Sequence, residues 1–369
     1  MVRLYDLSLA ELVVFCAGLG ESPYRARQLY AWLYGKGVND FGKMTDIGAA
    51  IREKLAENAD AGGLVLSETI ASSDGQTTKH LFELDDGNLI ETVFMKYKER
   101  NSICISSQAG CRMGCGFCAS GEQGLARNLS PSEMALQVIL SEREAAARTK
   151  NIVLMGVGEP LDNYDNVKKF IENITDDHGR DLSRRAITLS TCGIVPGIER
   201  LAKDLPQVNL AVSLHAPNDE LRRQIMPVTK KYGVREVVAA TQRHYKATRR
   251  RATFEYALVS GFNDSVAHAR ELSALLKGMN CLVNLIPLNG TVAEDPGTGL
   301  PRSPFVASAP RYPLRGAPRN DVVVKGSSSE TAERFREELG RRGVPATVRK
   351  SLGADIGAAC GQLRLRTAG

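Results

Sequence analysis

The stretch CRMGCGFC, residues 111 to 118, sets three cysteines in eight positions at the spacing Cys-x3-Cys-x2-Cys. The chain has eight cysteines in 369 residues, far too sparse for a disulfide scaffold, and a crowd of three is how cysteines are spent on a metal. A structural zinc site wants four ligands, usually as two separated pairs. No second pair exists here, and none of the five histidines lies in the run. Three thiolates without a fourth fit a [4Fe-4S] cluster with one iron left open, and an open iron is a place for a ligand to bind. Cys111, Cys115 and Cys118 are the expected metal ligands.

Outward from this stretch, the chain alternates strand and helix. Apolar runs at 102–106, 151–155, 186–190, 208–213, 252–258 and 282–286 read as strands. Between most of them lie amphipathic stretches such as SPSEMALQVILSEREAAAR and SVAHARELSALLKGM, which read as helices. Six βα units with a parallel sheet make a partial barrel or an open doubly wound sheet, and in both the functional residues gather at the C-terminal strand ends. The unusual residues do follow the strands: the three cysteines after the first, GVGEP (Gly156 to Pro160) after the second, Ser190 to Gly193 after the third, and Ser213 to His215 after the fourth.

Residues 1–60 read as a small helical domain. LSLAELVVFCAGLG ends in glycine, SPYRARQLYAWLYGKG begins with a serine cap and a proline, and a third helix is expected from Asp46. The aromatics of the second helix, Tyr24, Tyr30, Trp32 and Tyr34, fit a core-facing stripe, with a nucleic-acid-facing basic helix as the competing reading. Residues 61–100 form a short β-rich connector, in which SDGQ and DDGN mark tight turns. The barrel is expected over 101–350, interrupted at 290–320 by a loop carrying six of the fifteen prolines. A mobile tail, 351–369, carries Cys360 between Gly357 and Gly361. Cys16, Cys192 and Cys281 lie in apolar surroundings and are expected to be buried packing residues.

Composition excludes less than the motifs do. With 43% hydrophobic and 24% charged residues, wholesale disorder, collagen-like and coiled-coil chains are ruled out. No stretch approaches a membrane span and the N-terminus lacks a signal-peptide pattern, so a reducing cytoplasm is the expected home. The formal net charge of +6 permits a polyanionic partner without demanding one. The densest basic run, Lys246 with Arg249, Arg250 and Arg251, stands before the fifth strand, at the end opposite the expected mouth. Arg112, Arg127, Arg349 and Lys350 are the better placed candidates for phosphate contact.

The cysteine spacing, with Phe117 just before Cys118, resembles the signature of the radical S-adenosylmethionine (radical SAM) superfamily. In that superfamily the open iron chelates SAM, and one electron cleaves it to a 5′-deoxyadenosyl radical. Longer strings narrow the resemblance. CISSQAGCRMGCGFCASGEQGLARNLSPSE, VLMGVGEPLDNYDNV, LSTCGIVPGIERLA, NLAVSLHAPNDELRRQIMP, TFEYALVSGFNDS, NLIPLN and TVRKSLGADIGAACGQL closely resemble the RlmN/Cfr family of RNA adenine methyltransferases, and ARQLYAWLYGKGVNDFGKMTDI resembles that family's N-terminal RNA-binding domain. The match spans nearly the whole chain apart from 290–320.

The resemblance implies a partial (βα)6 radical SAM barrel behind the helical domain, and a methylation in two stages consuming two SAM per turnover. One SAM methylates Cys360. The second supplies the radical that takes a hydrogen from that S-methyl group, and the resulting carbon radical adds to adenine. Glu91 matches the family's proton acceptor and Cys104 its resolving thiol, which forms a transient disulfide with Cys360. SAM contacts carry over to Gly158, Glu159, Ser190, Ser213, Leu214, His215 and Asn289. The expected substrates are adenine 2503 of 23S rRNA, in the peptidyl-transferase region, and adenine 37 of tRNA. NYDNV and SLHAPND favour methylation at C2 over the C8 of Cfr-like enzymes. A reduced flavodoxin or ferredoxin is the expected electron donor, and a monomer the expected state. The alternatives are a radical SAM enzyme acting on a peptide or small metabolite, and a non-catalytic iron-sulfur RNA-binding protein.

Overall fold

The computed structural model describes residues 1–121, 124–288, 326–349, 352–359 and 361–363, with the backbone of the short strands Ala293–Glu294, Pro301–Arg302 and Arg366–Thr367. Asn289, Cys360, Lys350 and most of 290–320 lie outside the described residues. The chain divides into two compact units, one of residues 1–109, 127–187 and 365–369, the other of 110–126 and 188–364.

In the first unit, the helix Leu9–Gly18 starts on a capping box: the Ser8 side chain accepts from Glu11 N–H while the Glu11 carboxylate accepts from Ser8 N–H. The second helix, Pro23–Tyr30, has proline at its first position and runs on into a wider π-helical turn, Ala31–Gly35. The third begins at Ala49 rather than Asp46, because the Asp46 carboxylate is taken by the indole N–H of Trp32. Tyr5, Tyr30, Trp32 and Tyr34 are buried and Tyr24 is exposed, so this stripe is core. It docks on later helices of the same unit: the Tyr30 hydroxyl donates to Asn173 O at 3.0 Å, and Ser132 N–H to Asp6 Oδ1 at 2.8 Å.

Strands Leu64–Ala71, Thr77–Leu84 and Asn88–Lys96 form an antiparallel meander whose turns use Gly75 and Gly87 at positive φ. The last of them pairs antiparallel with Asn101–Ile105, which pairs parallel with Asn151–Leu154. The connector therefore continues the sheet of the βα units. Helix Pro131–Glu144 lies across the face that carries His80 and Thr92, where His80 Nδ1 meets Ser141 Oγ at 2.9 Å and Thr92 Oγ1 donates to Gln137 at 2.8 Å.

The second unit holds the strands Ile187–Thr191, Asn209–Ser213, Ala252–Leu258 and Cys281–Pro287, paired in that order and all parallel, with Ala346–Val348 added beside the last. All six expected βα strands are thus present within a residue or two of their expected ends. Helix Ser329–Arg341 covers one face, stacking Phe335 on Tyr256 with ring centroids 5.2 Å apart. Because side chains alternate along a strand, Glu255 and its register neighbours Ser213 and Asn284 take the other face. Among the described residues no helix is long and apolar enough to cross a membrane.

Helix Pro131–Glu144 also starts on a capping box, between Ser130 and Glu133. We expect Ser130→Ala to lower the stability of the first unit by about 1 kcal/mol, and Ser130→Asp to keep it. Urea denaturation followed by fluorescence of Trp32, the only tryptophan, checks this; an unchanged midpoint for the alanine variant would show that the cap contributes nothing.

Candidate active site

The cysteine loop of the second unit is shaped by glycines. Gly110 has φ +80°, and a Cβ there would fall 2.0 Å from Gly124 O; beside it Cys111 N–H donates to that same carbonyl at 2.8 Å. Cys118 N–H closes a turn onto Cys115 O at 3.1 Å, and Gly116 N–H anchors the loop to Ile225 O at 2.8 Å. Cys111 is buried, Cys115 and Cys118 half-buried. All three cysteines thus come from one fixed loop.

Beneath this loop lies a buried cation. The Arg222 guanidinium has no solvent exposure and donates to the carbonyls of Cys192 (2.5 Å), Ser213 (3.0 Å) and Leu214 (3.0 Å) and to the Thr229 hydroxyl (3.0 Å). Burial pushes its pKa down, opposed by interaction with Cys192, Cys115 and Asp219. A cation without a solvent shell needs negative charge nearby, and three thiolates carrying a cluster supply it. The donor set and its electrostatics therefore fit a [4Fe-4S] cluster held by Cys111, Cys115 and Cys118.

His215 sits at φ +58°, unusual for a non-glycine residue, and its ring meets Phe117 edge-on at 4.6 Å. Its Nδ1 accepts from Ala257 N–H at 2.9 Å, which leaves the proton of the neutral ring on Nε2. Burial, reinforced by Arg222, pushes its pKa down to about 3. Ser190 and Ser213, half-buried on neighbouring parallel strands, and buried Leu214 are the other expected SAM residues described in this unit. In the row beyond Ser213, Glu255 accepts from Asn284 Nδ2 at 3.0 Å and pairs with Arg349 at 3.7 Å; burial pushes its carboxyl up.

Tail residues 352–359 and 361–363 belong to the same unit. Ala119 N–H donates to Gly361 O at 2.9 Å and the Ser120 hydroxyl to Leu363 O at 2.7 Å, so residues on the C-terminal side of Cys360 are bonded to the segment directly after Cys118. Gly361 has φ +82°, and a Cβ there would approach Phe117 O at 3.3 Å.

In the first unit, GVGEP is stitched to the end of strand Asn101–Ile105. Val157 O accepts from Ser107 N–H at 2.9 Å, and Val157 N–H donates to Ser106 Oγ at 3.0 Å. Gly158 has φ +110°, and a Cβ there would fall 2.7 Å from Gln108 Cβ. Gln108 Oε1 accepts from Glu159 N–H at 2.8 Å, while its amide donates to Asn128 and Asp162. Glu159 is a buried carboxylate at a strand end, chemistry that suits an ammonium group such as that of SAM.

Glu91 and Cys104 share the face of this unit's sheet turned away from helix Pro131–Glu144. Val93 stands opposite Cys104, which makes Glu91 and Cys104 diagonal neighbours, roughly 7–8 Å apart. Glu91 is 1% exposed and pairs at 3.2 Å with Lys79, itself 6% exposed. Removing one partner of such a buried pair costs about 3–5 kcal/mol.

Comparison with known proteins places this geometry. The family profile "Ribosomal RNA large subunit methyltransferase N-terminal domain" matches residues 2–60, and the profile "Radical SAM superfamily" matches 105–272. The "Probable dual-specificity RNA methyltransferase RlmN" of Desulforamulus reducens is 44% identical over 99% of this chain and 96% of that protein. The protein of the same description from a Thermoanaerobacter species is 45% identical over 99% and 98%. The chain belongs to the RlmN family of radical SAM methyltransferases. A crystal structure of a radical SAM methyltransferase from Sphaerobacter thermophilus, 43% identical, superposes with a TM-score of 0.88 over 98% of this chain and 99% of that one. The α/β fold is that of the radical SAM enzymes, and SAM and a [4Fe-4S] cluster are the cofactors of the family.

Some residues with structural leverage gave no sequence signal. Arg222 reads as one more charge in DELRRQI, and Lys79 as the solvent face of an alternating strand. Arg127, a candidate for phosphate contact, is instead committed internally, to Asp86 and through two 2.8 Å bonds to Glu133. Cys16, Cys192 and Cys281 are buried as expected, and burial pushes the thiols of Cys16 and Cys281 up to about 11.

His215, and with it His80 and His244, each pushed down to about 4 by burial, are neutral in the fold and protonate near 6.5 when unfolded. The unfolded chain therefore binds more protons below pH 6.5. Stability is complete above that pH and falls toward pH 4, by roughly 1 kcal/mol per unit for each histidine. His215→Asn, which keeps an acceptor and tolerates positive φ, should flatten this slope. Denaturation midpoints between pH 4 and 8 read it, and an identical slope in the variant would contradict the buried neutral imidazole.

Proposed function

We propose that the enzyme methylates C2 of adenine in 23S rRNA, at adenine 2503 of the peptidyl-transferase region, and in tRNA at adenine 37, through a methyl group carried on Cys360. What supports this reading above all is the bonding of Gly361 and Leu363 to Ala119 and Ser120, directly after the last cluster cysteine. Most radical SAM reactions need no protein thiol, whereas here a tail bearing a cysteine is tied to the cluster loop.

C2 of adenine is an electron-poor amidine carbon without a lone pair to offer, so displacement of the SAM methyl group by that carbon is closed to it. When bound, the cluster and SAM supply an oxidising carbon radical able to take a hydrogen atom from a methyl group. The chain's residues do the rest. Glu159 holds the ammonium of SAM, and Gly158, Ser190, Ser213, Leu214, His215 and Asn289 shape its pocket. Cys360 accepts a methyl group from one SAM and presents it for hydrogen removal by the second, so two SAM are used per turnover.

Once the methylene is joined to the ring, the adduct radical gives up one electron, equal to the one spent in cleaving SAM, and Glu91 takes the proton left on the ring carbon. The Cys104 sulfur then bonds to that of Cys360 as the carbon–sulfur bond breaks, and the thiol proton ends on the new methyl group. This disulfide requires Cα atoms within about 7 Å and a reducing environment to restore both thiols. A small reduced flavin or iron-sulfur protein, flavodoxin or ferredoxin in class, is the proposed electron source.

With reconstituted enzyme, SAM and an rRNA fragment, mass spectrometry should find 2-methyladenosine. Cys360→Ala should give none, and Cys104→Ala should leave RNA covalently attached on a denaturing gel. An 8-methyl product would reverse the regiochemistry, and normal turnover by Cys104→Ala would remove it as the resolving thiol.

A further inference from the structure

The Glu91 ion pair is where the strand register decides chemistry. Leu81 stands opposite Glu91 and Lys79 opposite Val93, so Lys79 reaches Glu91 along a diagonal. Val93 in turn stands opposite Cys104. Lys79, Val93 and Cys104 form one row across three strands, with Glu91 beside its two reactive ends. Thr92 and His80 point the other way, into helix Pro131–Glu144. Ser106 Oγ fixes the backbone at this point, donating to Glu91 O at 2.7 Å.

Two charges buried on a sheet face are rarely kept for stability alone, since apolar replacements of similar volume are often neutral or better. We propose that Lys79 is a positioning residue for product release, its ammonium, 3.2 Å from Glu91, aiming the carboxylate so that it receives the adenine ring proton. The inference rests on the reading of Glu91 as proton acceptor. In that step the C–H bond breaks with its electron pair left in the ring, and the proton bonds to a carboxylate oxygen. Among the described residues, the titratable and charged groups on the strands beside Glu91 are Lys79 and Glu83 on strand Thr77–Leu84 and Cys104 on Asn101–Ile105. Lys79 stands at ion-pair distance.

The experiment follows release of methylated RNA from the covalent adduct in single turnovers between pH 6 and 9. It compares the wild type with Lys79→Arg, Lys79→Gln, Lys79→Met and Glu91→Gln. Release by Lys79→Gln and Lys79→Met should slow about tenfold or more, the loss expected when the carboxylate is no longer held in line. Lys79→Arg should keep the wild-type rate, and methylation of Cys360 should be unaffected in the three Lys79 variants. A wild-type release rate in Lys79→Gln, or equal loss in Lys79→Arg, overturns the proposal; so does failure of both uncharged variants to fold, which would make the pair structural. If Glu91→Gln stalls as the adduct while Lys79→Gln behaves as wild type, the Lys79 inference alone fails. If Glu91→Gln releases product normally, the proton-acceptor reading fails and takes Lys79 with it.

Discussion

A guanidinium cut off from water organises the second unit. Arg222 gathers the carbonyls of Cys192, Ser213 and Leu214, which follow or end two neighbouring parallel strands, and so fixes backbone that parallel pairing leaves without partners. Burying that charge costs several kcal/mol. Four strong acceptors offset part of the cost, and interaction with the Cys115 and Cys192 sulfurs opposes the rest. The same cation helps hold His215 neutral, and the His215 ring supports Phe117, which lies between Cys115 and Cys118 in the chain. A single buried charge thus links the cysteine loop to the strand ends expected to bind SAM.

In the first unit, buried amides stiffen the strand ends. Gln108 receives Glu159 N–H and donates to Asn128 and Asp162, while Gln137 accepts from both Thr92 and Ser106. Fully satisfied buried amides of this kind stiffen a site without adding charge to it. Glu91, Lys79, Cys104 and Glu159 consequently stand on backbone that is held at several points. In the second unit the residues after Cys360 are attached more lightly, by the bonds of Gly361 and Leu363 to the cysteine loop.

Much of this was legible in the sequence wherever the signal is local. The cysteine spacing and the apolar strand runs depend on neighbours within a few residues, and the strands are found where expected. The failures are non-local. Asp46 looks like a helix start but serves Trp32, fourteen residues earlier in the chain. The connector strands look like a separate piece, yet Asn88–Lys96 pairs with the first βα strand. Arg222 and Lys79 sit in polar stretches that read as solvated, and only the carbonyl cage around one and the diagonal carboxylate beside the other reveal that they are buried. Family resemblance supplied what neither spacing nor periodicity carries, the separate roles of Glu91, Cys104 and Cys360.

The central claim, that the transferred carbon passes through Cys360, is tested most directly by isotope. The enzyme is supplied with SAM bearing a trideuterated methyl group, and both the peptide containing Cys360 and the RNA product are weighed by mass spectrometry. The account predicts the label on Cys360 before RNA is added, then a product methyl with two deuterons and 5′-deoxyadenosine with one. A product methyl that keeps all three deuterons, or a Cys360 peptide that is never labelled, would contradict it.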